Sequence, residues 1–162
     1  MLRHFIFRIS FFIFALSLTS CGNKVVLDEE RTFSSTWNRF TPQQYEIAIP
    51  SSDLFFHIDY TVVVDTAVFR YDRLPLIVDI YGADGTQRHI SPVIPLKENG
   101  RWKGQQEGPN RRVTARVHNY FTFNKSGTYR YEVKQATSQY DLEGVRAFSV
   151  HIEEAKLEYN LD

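Results

Sequence analysis

Five histidines, nineteen acidic side chains and a single cysteine are the groups with which this 162-residue chain could do chemistry. A catalytic zinc needs histidines and carboxylates at a spacing such as H-E-x-x-H, and His57, His89, His118 and His151 have none of these neighbours. His57, His118 and His151 alternate with apolar residues and read as polar positions on the solvent face of strands. A glycosidase needs two converging carboxylates. Asp59, Asp65, Asp79 and Glu132 instead occupy outward-facing strand positions, the ordinary place of a solvated acid. The sequence has no G-x-S-x-G elbow, no phosphate loop and no dinucleotide fingerprint. These observations predict no catalytic residue, no metal site and no cofactor, and hence a non-enzymatic protein.

The residue with the clearest predicted chemistry is Cys21. Arg3 and Arg8 precede a short apolar run over residues 9–18, and small residues follow at its end. That is the layout of a secretory signal peptide, and the run is too short for a comfortable membrane span. Leu18-Thr19-Ser20-Cys21 resembles a bacterial lipobox, in which the cysteine thiol takes up diacylglycerol and becomes the new N-terminus. The alternative is an ordinary cleaved signal with an incidental cysteine. A lone thiol in an oxidising compartment would then need another explanation. Acyl chains anchor through buried methylenes, at about 0.8 kcal/mol each.

Residues 1–20 are therefore read as signal, and 21–36 as a lipidated N-terminus and polar tether. Fifteen extended residues would reach roughly 50 Å. Loss of Arg3 and Arg8 leaves 17 basic and 19 acidic residues, a net charge of −2. This balance argues against a nucleic-acid binder with a basic surface.

Residues 37–162 carry the folded domain. Leu54, Phe56, Ile58, Tyr60, Val62 and Val64 alternate with polar positions, a period of two in β-branched and aromatic residues. Tyr45, Ile47 and Ile49 form a shorter run of this kind, as do Leu76, Val78 and Ile80, and Phe148, Val150 and Ile152. Gly82-Ala83-Asp84-Gly85 has hairpin turn chemistry, and Pro92 and Pro95 mark an edge or a strand end. Asn124-Lys125-Ser126-Gly127 reads as the turn of a second hairpin, between Val113–Phe123 and Tyr129–Val133. Seven or eight short strands without an amphipathic helix predict an all-β fold. The expected form is an antiparallel β-sandwich, immunoglobulin-like or jelly-roll-like, with a small closed barrel as the alternative.

The stretch from Pro95 to Arg112 reads as one long polar loop, and loops of that length usually have a purpose. Arg101, Trp102, Lys103, Arg111 and Arg112 are its candidate partner contacts, with Trp102 as the anchor for a protein or a glycan. The favoured alternative is that Trp102 folds back and plugs the end of the sandwich, because a loop needs an apolar anchor to stay ordered. A glycan platform would need Trp102 in a solvent-facing row with Tyr71 or Tyr81.

Several of these pieces are similar to one family. Cys21, Trp37, the turn Phe69-Arg70-Tyr71-Asp72-Arg73-Leu74, the loop Gly100-Arg101-Trp102-Lys103-Gly104 and the segment Phe123-Asn124-Lys125-Ser126-Gly127-Thr128-Tyr129 resemble the GldH gliding-motility lipoproteins of the Bacteroidetes. A closing run from Leu142-Glu143-Gly144-Val145 to His151-Ile152-Glu153 extends the likeness over nearly the whole mature chain. The turn at Arg70, Asp72 and Arg73 departs from the family's asparagine-containing pattern. The resemblance implies a lipoprotein of the cell envelope, a partner of motility or secretion proteins, with no enzymatic activity to carry over. Cys21 is not followed at once by an acidic cluster, which favours an outer-membrane anchor facing the periplasm.

Overall fold

The computed structural model describes residues 23–156. The predicted signal peptide and Cys21 lie outside the described residues. Among those described there is no helix. Fourteen strands follow one another: β1 (Val25–Thr32), β2 (Thr36–Asn38), β3 (Gln43–Ile49), β4 (Phe55–Asp65), β5 (Arg73–Gly82), β6 (Gln87–Ile90) and β7 (Val93–Pro95) make the first half. The second half is β8 (Lys97–Glu98), β9 (Arg101–Trp102), β10 (Gln105–Glu107), β11 (Asn110–Thr122), β12 (Gly127–Gln135), β13 (Asp141–Glu143) and β14 (Val145–Glu154). Eight of them are four residues or longer, in line with the seven or eight expected; the other six are two- or three-residue ribbons.

Two antiparallel sheets form the sandwich. One runs β1-β14-β4-β11-β10, the other β3-β12-β5-β6 with β7 also paired to β5. The alternation seen in the sequence sets the inner faces. Phe56, Ile58, Tyr60, Val62 and Val64 of β4 are all fully buried, as are Phe148, Val150 and Ile152 of β14. From the second sheet, Ile47, Val78, Tyr131 and Val133 meet them. Each such side chain contributes about 1.5–3 kcal/mol by leaving water. Tyr60 and Tyr131 reach across the core and hydrogen-bond hydroxyl to hydroxyl. The Gly82–Gly85 hairpin forms as expected, with the Gly82 amide donating to the Thr86 carbonyl at 2.9 Å.

Two expectations are corrected. The tether over 21–36 is a strand from Val25 onward: β1 pairs with β14 through seven residue pairs, from Val25 opposite Glu153 to Thr32 opposite Ala147. Only Leu27 of β1 is buried, so an edge strand held by backbone bonds was hidden behind polar side chains. The second hairpin is also not one. β11 and β12 lie in different sheets, and the 123–126 turn arches between them. Alternation fixes which residues point inward, and it reads alike whether the chain returns beside itself or crosses the core.

One backbone position carries strain. Tyr120 has a φ of 55°, close to a β-bulge where the β4–β11 register shifts between His118 and Phe121. A left-handed conformation costs a non-glycine residue about 1–2 kcal/mol, and Tyr120 is 47% exposed.

Candidate functional site

The register orients the sandwich. Val25, Phe55, Thr122 and Glu154 share one end, because β1 and β4 start there and β11 and β14 finish there. The opposite end is built from the ribbon β2–β13, the loop over residues 66–72 and the ribbon β8–β9. Three of the six exposed large apolar side chains among the described residues gather at this second pole: Phe40, Tyr140 and Val68.

Phe40 and Tyr140 are 69% and 64% exposed and stack on each other, with ring centroids 5.6 Å apart and planes inclined by 29°. The Arg39 guanidinium lies 5.8 Å from one centroid and 5.7 Å from the other. A rigid frame presents them. The Arg39 amide donates to the Tyr140 carbonyl at 2.7 Å, and Asn38 Nδ2 donates to Asp141 Oδ1 at 2.7 Å. Asn38 Oδ1 in turn accepts from the Phe40 amide at 2.9 Å. From below, buried Gln135 donates to the Gln139 carbonyl at 2.9 Å and accepts from the Thr137 amide and hydroxyl, both at 2.8 Å. Two rings held outward in this way forgo the burial that the same rings would gain in a core. A cation and two aromatic rings make a surface suited to a partner that combines apolar and anionic groups.

Beside the stacked pair is a cleft of about 160 Å³ lined by Ala67, Val68, Arg70, Tyr71, Gln139 and Glu143. Its walls are fixed. Asp65 accepts from the Ala67 amide at 3.0 Å and pairs with Arg146 at 2.8 Å, and the Arg146 hydrogen bond holds its carboxyl below the usual range. Tyr71 Oη and Ser138 Oγ meet at 3.3 Å across the cleft. Gly144, with a φ of 82°, brings its backbone against Phe69. Arg39, Arg70, Arg101 and Lys103 make no ion pair among the described residues.

The structure divides the five predicted loop residues. Asn99 (φ 50°) and Gly100 (φ 74°) form a tight two-residue turn, so β8 and β9 make a small hairpin within the expected loop. The Asn-Gly pair was the available signal for it. Trp102 folds back: it is half-buried, its ring 6.4 Å from Phe69 and 4.6 Å from Lys97 Nζ. Arg101 and Lys103 flank it on the same pole. Arg112 instead points to the first sheet, paired with Glu30 at 2.9 Å and Glu107 at 2.7 Å. Arg111 donates to the Gly104 carbonyl at 3.3 Å. Tyr71 joins Trp102 around Phe69, and Tyr81 lies under Arg130 on the second sheet, so no row of the kind a glycan platform needs is formed.

The candidate acids are neutralised one by one. Asp59 pairs with Arg116 at 2.8 Å. Asp79 and Glu132 stand opposite each other on β5 and β12 and are buried, at 7% and 9%, rather than solvated. They are inaccessible because the long side chains of their own sheet face lie beside them. Asp79 meets His89 at 2.9 Å and Lys134 at 3.0 Å, and Glu132 meets Arg130 at 3.1 Å. Burial alone would raise the Asp79 pKa, but the His89 and Lys134 hydrogen bonds hold it below the ordinary value. Burial, with a smaller push from Arg88, lowers the pKa of His118. No group of three or more histidine, cysteine or acidic residues among the described residues could hold a metal ion.

A family model for the GldH lipoprotein matches residues 25–152, from the first strand to the last. The chain belongs to the GldH lipoprotein family. Membership makes it a lipoprotein, with the membrane-anchored place in the cell envelope that the family's name carries. No curated protein matches the sequence. Among solved structures it is similar to a chain from "Structure of infectious bursal disease virus Gx strain", at 16% identity and a TM-score of 0.30, over 85% of this chain and 35% of that one. At that score the likeness bears on neither fold nor function.

Proposed function

We propose that this GldH-family lipoprotein is a non-enzymatic accessory component of a gliding-motility or associated secretion apparatus. Lipid on Cys21 holds it to a membrane, here assigned to the periplasmic side of the outer membrane. It acts by binding envelope protein partners. The observation that carries this reading is the exposed Phe40–Tyr140 stack with Arg39, at the end of the sandwich away from residue 25. Confinement to a surface raises the effective concentration of such a site near other membrane components.

Two measurements test it. Labelled palmitate is expected to enter the wild-type protein and not the Cys21→Ala variant. A photo-cross-linking residue at Tyr140, used in living cells, is expected to capture an envelope protein, and Phe40→Ala should weaken the capture at least tenfold. Unchanged motility and secretion in the Phe40→Ala/Tyr140→Ala double variant, together with undiminished capture from position 140 in the Phe40→Ala protein, would refute the binding role.

A further inference from the structure

We infer that the pole formed by Val25, Phe55 and Tyr120 rests on the headgroups of the bilayer that holds the protein's own lipid. The inference rests on the anchoring part of the function proposed above.

Its first support is chain length. β1 begins at Val25, only four residues after Cys21. Four residues span at most about 14 Å even when fully extended. A lipid-bearing Cys21 is tied to the headgroup layer, so the domain cannot stand clear of the membrane. The pole at which β1 begins must face it.

The second support is what that pole displays. Val25 and Tyr120 are 46% and 47% exposed. Phe55 meets the Tyr120 ring edge-on at a centroid distance of 6.4 Å, and His57 lies 5.4 Å from the same ring. Tyrosine suits a membrane interface because its ring is apolar and its hydroxyl wet. Pro50 and the neighbouring 51–53 turn extend the same end. Lys24 lies 3.5 Å from Glu154 and Lys125 2.7 Å from Asp84. Exposed Asp53 and Lys156, one acid and one base, make no ion pair among the described residues, so the pole carries no excess of either charge that would call for anionic lipid.

The third support is the backbone. Tyr120 keeps a φ of 55°, a conformation that asparagine or glycine would hold with less strain. Its side chain is 47% exposed, and the rings it meets are Phe55 and His57 at the rim, neither of them in the buried core. Strain retained at an exposed bulge position, where the ring packs on the half-buried Phe55 and His57, is consistent with a contact made outside the chain.

The test uses the full lipidated protein in vesicles of phosphatidylcholine. Once Cys21 carries its thioether, an introduced cysteine is the only free thiol and takes a nitroxide label. Ser52→Cys and Asn119→Cys report on the near pole and Gln139→Cys on the far one; the unacylated Cys21→Ala protein, with the same labels, gives the solution baseline. On vesicles, collisions with a water-soluble nickel chelate should fall at least threefold at 52 and 119 and stay unchanged at 139. Tyr120→Asn should raise the collisions part of the way to the baseline, the short tether still keeping the pole near the headgroups, while leaving the thermal midpoint unchanged or raised. If the mass of the protein shows the lipid and the collisions at 52 and 119 match the baseline, the seating is overturned and the anchor stands. If the mass shows no lipid, the anchor falls, and the seating with it.

Discussion

The Tyr60–Tyr131 pair gives a sharp test of how the two sheets are joined. Both side chains are fully buried, and each hydroxyl has the other as its hydrogen-bond partner across the core. Tyr60→Phe removes the Tyr131 hydroxyl's hydrogen-bond partner in a buried interior, and Tyr131→Phe does the same to Tyr60. An orphaned buried hydroxyl costs about 1–3 kcal/mol. Replacing both removes the two polar atoms together, and the net worth of a hydrogen bond already exchanged against water is only about 0.5–1.5 kcal/mol. Each single variant should therefore lose about 2 kcal/mol and the double variant about 1 kcal/mol. The cycle would then show a coupling of about 3 kcal/mol, with the double variant more stable than either single one. Urea unfolding of the mature chain bearing Cys21→Ser measures this, at constant m-value. A double variant whose loss equals the sum of the single losses would refute the reasoning, because the two hydroxyls would then be acting independently.

Burial pushes the phenols of Tyr45, Tyr60 and Tyr131 well above their ordinary value of 10.0. The folded state thus keeps protons that the unfolded chain gives up above pH 10. Stability is whole below that pH and falls as pH rises, by about 1.4 kcal/mol per unit for each tyrosine; urea midpoints that stay flat between pH 9.5 and 11.5 would contradict it. Asp79 has the opposite sign: its lowered pKa stabilises the fold above the ordinary carboxylate range and is lost as pH falls. Asp79→Asn should therefore destabilise the protein at pH 7 and much less at pH 3, measured by thermal unfolding. Gly104 has a φ of 71°, and a Cβ there would overlap the Arg112 carbonyl oxygen, whereas Gly100, with a φ of 74°, faces open space. Gly100→Ala should cost about 1–2 kcal/mol from the backbone alone, and Gly104→Ala distinctly more; equal thermal shifts would show that the close approach to β11 is not needed.

The core was the most legible part of the sequence. Phe56 through Val64, Tyr45 through Ile49, and Phe148 through Ile152 announce their burial by period alone, because a pleated strand sends alternate side chains to opposite faces. Strand partnership was not legible. The 124–127 turn looks the same in sequence as a hairpin and as an arch. β1 shows one buried residue in eight, since an edge strand is held by backbone groups common to all residues. The far-pole site was invisible for another reason. Phe40 and Tyr140 are a hundred residues apart, and only the β2–β13 pairing of Asn38 with Asp141 brings them together. Trp102 drew attention by its type, yet its burial depended on Phe69 and Lys97, which no spacing rule connects to it.

The β1–β14 ladder also has a mechanical consequence. Strand β1 starts at the Val25 end and runs toward the opposite pole, so a load applied between the two poles would act along its axis. The hydrogen bonds to β14 stand perpendicular to that axis. Seven paired residues are then sheared together, whereas a pull across the strand would open them one after another. Endurance under such a load is a rate, governed by the barrier to breaking the whole ladder at once, and two variants of equal equilibrium stability could differ widely in it.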